Sequence, residues 1–205
     1  RTRYKMKRTD DKNAGESGKT DAPYKRAKAR GSVPSAKGGT VENPCAGEYV
    51  THPIAPIYDA RSRILILGSF PSVKSREAGF YYGHPQNRFW RVLASLYGEA
   101  VPCGTEEKRA FLLSHGIALY DVISACEICG SADASIKRVC PADLSPILAG
   151  SKIERIFVNG RTAEAYYRKY QEAKTGRAAI LLPSTSPANA TFSLSRLIDA
   201  WRVIL

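Results

Sequence analysis

The residues of this chain best suited to chemistry are polar side chains set just beyond short apolar runs. Asn87 stands in GHPQNRFWR (83–91), between a turn marked by Pro85 and two aromatics. Asp121 closes the run IALY, and the hydroxyl-rich stretches GSFPSVKS and PSTSPANA follow the runs ILIL and AAILL. An amide carries an acceptor oxygen and an NH2 donor, so Asn87 is a candidate for holding a group in place for chemistry. Asn is also among the best helix N-caps, and both readings stand at this point. A carboxylate at a strand end, such as Asp121, faces a cleft, caps a helix or accepts from a loop. FYYGHP (80–85) supplies three aromatics and a histidine, either as a structural cluster or as a face for stacking a base. Small hydroxyl residues in tight turns let backbone N–H groups approach phosphates closely.

Several other chemistries lack their residues. GSFPS has neither the glycine spacing nor the Lys-Ser/Thr of a phosphate-binding loop, and it is no dinucleotide fingerprint. CEIC (126–129) is a CxxC with Cys140 further on, but zinc needs a fourth ligand at matching spacing. His52, His84 and His115 stand in no paired motif. Five cysteines, an odd number, are expected to be free thiols in a reducing compartment. No GxSxG or HExxH occurs, and the sequence neither supports nor excludes a Ser/His/Asp arrangement assembled from distant segments.

Elements that could position these groups are readable from periodicity. RILILGS (63–69) predicts a strand buried on both faces. NRFWRVLASLYG has apolar residues at Phe89, Trp90, Leu93, Leu96 and Tyr97, with Gly98 as a stop, which is helical spacing. A second helix starts at Thr105, with Glu106 and Glu107 in its first turn, and ends at Gly116. Strands are expected over 117–123, 153–160 and 178–184, and helices over 141–150, 161–173 and 192–205. Strands alternating with helices imply an α/β fold with a parallel sheet covered on both faces. Ligands of such sheets bind beyond the C-terminal strand ends. Those ends read GSFPSVKS, DVISACEICGSADAS, NGRTA and PSTSPANA.

Composition adds a polyanion-binding character, unevenly placed. The net charge is +12, of which residues 1–40 carry +8, from 12 Lys+Arg against 4 Asp+Glu. Residues 1–48 therefore read as a basic, disordered arm, with KRAKAR (25–30) as a nuclear-import signal, a DNA tether or a solubilising tail. The folded domain is expected over 49–205. No apolar run is long enough to span a bilayer.

Together, GSFPSVKSREAGFYYGHPQNRFWRVL, LYDVISACEICGSADASI, FVNGRTA and LPSTSPANA resemble, in order and spacing, the uracil-DNA glycosylase superfamily, and within it the hypoxanthine-DNA (deoxyinosine) glycosylases. The resemblance spans residues 53–205. It implies a three-layer α/β/α domain around a central four-stranded parallel sheet. It also implies a monofunctional enzyme without metal or cofactor, which flips a deaminated base out of DNA and hydrolyses its N-glycosidic bond. The expected partner is DNA containing deaminated bases, with no membrane, and the chain is expected to be a monomer. Its expected location is intracellular with the DNA, in the nucleus of a eukaryote or the nucleoid of a prokaryote.

The same resemblance distributes roles. Mismatch-type relatives hold the attacking water with an Asn in their first block, where this chain has Phe70. The hypoxanthine family shares that departure, and its catalytic Asn matches Asn87. Gly68, Ser69, Phe70, Pro71, Tyr82, Asp121 and Asn159 line the implied base pocket. Tyr82 matches the stacking aromatic. Asp121 stands where uracil enzymes carry a base-reading Asn, and Asn159 lines the pocket or caps the next helix. Ser72, Lys74, Ser75, His84, Ser184, Thr185 and Ser186 are the DNA-contact candidates. The uracil-specific His that begins the last loop is replaced by Leu182. Two alternatives remain beside hypoxanthine excision: preference for uracil, xanthine or mismatches, and lesion binding without catalysis.

Overall fold

A computed structural model of the chain describes residues 47–205. The arm expected over 1–48, KRAKAR included, lies outside the described residues except for Gly47 and Glu48. In chain order the strands are β1 (Glu48–Thr51), β2 (Ile64–Gly68), β3 (Ile117–Asp121), β4 (Ile123–Ile128), β5 (Lys137–Pro141), β6 (Arg155–Asn159) and β7 (Ile180–Leu182). The helices are α1 (Val73–Ala78), α2 (Phe89–Tyr97), α3 (Gly104–Ser114), α4 (Ser145–Ala149), α5 (Arg161–Tyr170), α6 (Glu172–Thr175) and α7 (Leu194–Trp201).

Four strands form the expected parallel sheet, in the order β3-β2-β6-β7. Successive strand side chains point to opposite faces. Ile64, Ile66, Ile117, Leu119 and Phe157 therefore enter one core with Phe89, Trp90 and Leu93 of α2, Phe111 of α3 and Trp201 of α7. Leu65, Leu67, Ala118, Ile156 and Val158 enter the other, with Ile147 of α4 and Tyr167 of α5. Helices thus flank the sheet on both sides. Among the described residues no helix is long and apolar enough to cross a membrane.

The departures have local causes. The segment after β3, for which the sequence offers no further strand, pairs antiparallel with β1 and β5 in a second sheet ordered β1-β4-β5. IALYDVISACEI had looked like one strand followed by irregular chain. At Val122 the chain leaves the parallel sheet, its N–H donating to Gly68 O at 2.9 Å, and Ile123 opens β4. The helix expected over 161–173 breaks at Gln171, whose buried side chain donates to Ala142 O at 2.6 Å. α1 had not been anticipated; Ser72 caps it and left-handed Gly79 (φ 61°) ends it. Cys103, Cys126 and Cys140 are free, but Cys129 is disulfide-bonded, which corrects the expectation of free thiols throughout. Burial pushes the Cys126 thiol up to about 11, so it packs as a neutral apolar group.

Trp201 closes the first core, and its indole N–H donates to Pro183 O at 3.0 Å, tying α7 to the segment beyond β7. Trp201→Phe should fold and lose about 1–3 kcal/mol, from the orphaned carbonyl and the lost ring volume. Urea unfolding would show a lower midpoint at unchanged slope. A midpoint equal to the parent's would refute that account.

Candidate functional site

The C-terminal ends of β2 and β3 meet at Gly68 and Asp121, which are register partners. A Cβ on Gly68 would lie 2.1 Å from Asp121 Oδ1 and 3.3 Å from the Tyr82 hydroxyl. Only glycine leaves room for the carboxylate to lie across the strand end. Asp121 is buried, and its Oδ2 lies 2.8 Å from His52 Nε2. His52 follows β1 and is walled by Phe70 and Tyr120, with ring centroids at 5.7 and 5.1 Å. The Ile54 backbone N–H donates to Nδ1 at 3.1 Å, so the ring proton sits on Nε2 and is donated to Asp121.

Tyr82 rises beside this pair in a left-handed conformation (φ 52°) that costs a non-glycine residue roughly 1–2 kcal/mol. Its neighbours hold it there. Tyr81 is buried and donates its hydroxyl to Ala55 O at 3.0 Å, while the Gly83 N–H donates to Ser75 Oγ at 3.1 Å. Phe89 of α2 stacks on the Tyr82 ring, centroids 3.9 Å apart and planes at 18°. The Asn159 amide donates to the Tyr82 hydroxyl and to Thr185 Oγ1, both at 3.0 Å, and its oxygen accepts from the Thr185 N–H at 3.0 Å. Burial first, and then the charge of Asp121, push the Tyr82 phenol far above the ordinary tyrosine range, so it stays protonated.

Asn87 sits at the start of α2, where its Oδ1 accepts from the Phe89 N–H at 3.0 Å. The capping reading is thus realised, although Arg88 holds the N-cap position itself. A carbonyl oxygen has two lone pairs, so the cap leaves one free, and the NH2 bonds no other described residue. Arg88 turns away and spreads its guanidinium under the loop after β7. It donates to the carbonyls of Thr185, Ser186, Asn189 and Phe192, and its own N–H donates to Thr185 O at 3.1 Å.

The DNA-contact candidates divide. Ser75 is buried, with its hydroxyl bonded to Gly83 N–H and Ser72 Oγ, and Thr185 is fully buried against Asn159. Both side chains brace the site from within. Ser72 is occupied as the cap of α1. Lys74 pairs with Glu77 at 2.8 Å, but an exposed pair of this kind is worth only about 0.2–1 kcal/mol, so a phosphate can compete for the ammonium. His84 accepts from the Gln86 N–H, and Ser184 and Ser186 accept from backbone N–H groups of their own loop. Phe70 and Pro71 are buried at the pocket side, and Ser69 donates to Asp133 at 3.2 Å.

Sequence reasoning missed three residues. His52 stands in no paired metal-binding motif, and nothing local marks a histidine whose partner is 69 positions away. Arg88 lay inside a motif already assigned to a helix. Asp133 lies in the GSADAS connection; it is exposed as a residue, but its carboxyl turns toward Ser69. Desolvation raises its pKa against the pull of the Ser69 and Thr162 hydroxyls, and Asp121 adds to the rise.

A lysine has one ammonium and cannot reach four carbonyls at once. Arg88→Lys should cost at least about 2 kcal/mol and speed amide hydrogen exchange in residues 184–192. Unchanged protection in that loop would refute the strut.

Comparisons with known proteins bear on the family and the fold. The family model of the Uracil DNA glycosylase superfamily matches residues 55–204. A protein named Hypoxanthine DNA glycosylase from Methanosarcina acetivorans is 37% identical over 142 residues, covering 68% of this chain and 89% of that protein. One of the same name from Methanosarcina barkeri is 41% identical over 83 residues, covering 40% of this chain and 52% of the relative. A solution NMR structure of a uracil DNA glycosylase candidate from Methanosarcina acetivorans superposes with a TM-score of 0.64 at 32% identity, covering 77% of this chain and 99% of that one. With a parallel sheet whose strand ends gather Gly68, Tyr82, Asp121 and Asn159, and a family match over nearly the whole described fold, the chain belongs to the uracil DNA glycosylase superfamily.

Proposed function

We propose that this chain is a DNA glycosylase of base excision repair that takes hypoxanthine, the base left by adenine deamination, out of DNA and hydrolyses its N-glycosidic bond. The observation that carries this reading is the Tyr82 ring, backed by Phe89 and held in a left-handed turn above the Gly68–Asp121 notch. The two relatives named Hypoxanthine DNA glycosylase direct it to that base. A sugar–base bond inside stacked duplex is inaccessible, so the nucleotide must leave the stack first. Stacking on an aromatic such as Tyr82 returns about 1–3 kcal/mol of that loss.

Hydrolysis then needs few groups. The C1′–N9 bond breaks first, its electron pair leaving with the base and an oxocarbenium-like sugar remaining. Water adds to C1′, and the proton it sheds goes to the departing base anion, which leaves as the neutral base. Asn87 places that water through the free lone pair of Oδ1 and the NH2 group, while the cap to Phe89 holds the amide still. The protonated Tyr82 hydroxyl is a nearby donor to the pocket. The loop over 183–189, with Ser184 and Ser186, lies against DNA, and Lys74 reaches a phosphate once released from Glu77.

Duplexes carrying one deoxyinosine, deoxyuridine, deoxyxanthosine or mismatch, incubated with the protein and treated with alkali, test the reading. A strand break is expected at deoxyinosine, and its absence would sink the assignment. Asn87→Ser separates cap from water, because serine caps about as well but has no amide. Stability should change by less than about 1 kcal/mol, while turnover falls by roughly 10²-fold or more. Turnover within a few-fold of the parent would leave Asn87 a cap alone.

A further inference from the structure

His52 lies outside the blocks that carry the family resemblance, yet both its ring nitrogens are committed. Nδ1 accepts from the Ile54 backbone N–H at 3.1 Å, a donor that cannot reverse its polarity. Nε2 must then carry the proton, which it gives to Asp121 Oδ2 at 2.8 Å. The imidazole side chain is 1% exposed, so water does not readily take over either bond. The other carboxylate oxygen, Oδ1, lies at the Gly68 notch beside the Tyr82 hydroxyl.

We propose that His52 sets the hydrogen-bond polarity that position 121 shows to the flipped base. The proposal rests on the glycosylase reading above and deepens it. With Oδ2 tied to the imidazole, Asp121 offers Oδ1 as an acceptor. A 6-oxopurine carries a hydrogen on N1 and fits that acceptor. Adenine has a bare N1 lone pair, which faces the carboxylate as a second acceptor and is refused. Discrimination between a base and its deaminated product is thus traced to one backbone N–H, that of Ile54. His52 is a positioning residue, acting through Asp121.

An amide at this position would also be oriented. In Asp121→Asn the side-chain oxygen must face the Nε2–H of His52, which turns the NH2 toward the base and converts an acceptor into a donor. His52→Gln removes the constraint, because a glutamine amide can turn either end toward its neighbour. The experiment compares deoxyinosine with deoxynebularine, a purine lacking the N1 hydrogen, in duplexes offered to the full chain. Both single-turnover cleavage and duplex affinity are read, with folding checked by circular dichroism. The parent should prefer deoxyinosine. Asp121→Asn should collapse or invert that preference by about tenfold or more, the scale of one mismatched hydrogen bond. His52→Gln alone should keep it, and His52→Gln with Asp121→Asn should recover part of it. A purely structural histidine would give no such recovery. An Asp121→Asn variant that keeps the parent preference, or a double variant without recovery, overturns the role of His52 alone. A parent that cleaves no lesion overturns the glycosylase reading and this inference with it.

Discussion

The site depends on one guanidinium. Arg88 joins the start of α2 to a loop roughly a hundred residues later in the chain, through four carbonyls that would otherwise compete for water. Five donors in a fixed planar fork can satisfy four acceptors at once, more than any other side chain can. Because the carbonyls point inward to Arg88, backbone N–H groups of the same loop are left for its own serines or for a ligand. The preceding residue is Asn87, so the group that orients the loop and the group assigned to water share one stretch of backbone. Movement of either is movement of both.

Around that tie, the site is built by using up hydrogen-bonding capacity until few groups remain. Asn159 spends its amide on Tyr82 and Thr185, and His52 spends both nitrogens on Ile54 and Asp121. What is left at the notch is a short set: one carboxylate oxygen of Asp121 and the Tyr82 hydroxyl. Buried polar groups without partners are costly, so the rest of the network also keeps these few from reorienting. The strain at Tyr82 fits the same scheme, being carried by the anchoring of Tyr81 and Gly83 on either side.

Much of this was legible before any coordinates. The apolar runs at 63–69 and 117–121 and the spacing of Phe89, Trp90 and Leu93 gave away the parallel sheet and α2, because burial on both faces leaves an unbroken apolar signature. The second sheet was hidden, since Ile123 reads as a continuation of β3 and the bulged register of β4 against β5 blurs alternation. For the candidate site, motif order singled out Asn87, Tyr82, Asp121 and Asn159; the fold gathers Tyr82, Asp121 and Asn159 around Gly68, while Asn87 bonds at the start of α2. Motif order did not distinguish side chains that face outward from those that brace the interior, and so Ser75 and Thr185 were grouped with the surface. His52 escaped because its meaning lies in a tertiary contact that no local pattern encodes.

The small sheet gives that contact an unexpected weight. β1 pairs with β4 from Glu48–Ile128 to Thr51–Ala125, and the His52 N–H continues the ladder to Ser124 O. Pairing of these two strands is what delivers the imidazole to Asp121, which lies just before β4. The family match begins only at residue 55. A chain trimmed to that boundary would keep each recognisable block and the whole parallel sheet, but lose the histidine and the strand that carries it. The edge of the family model and the edge of the strand that holds His52 do not coincide, and the difference is a handful of residues.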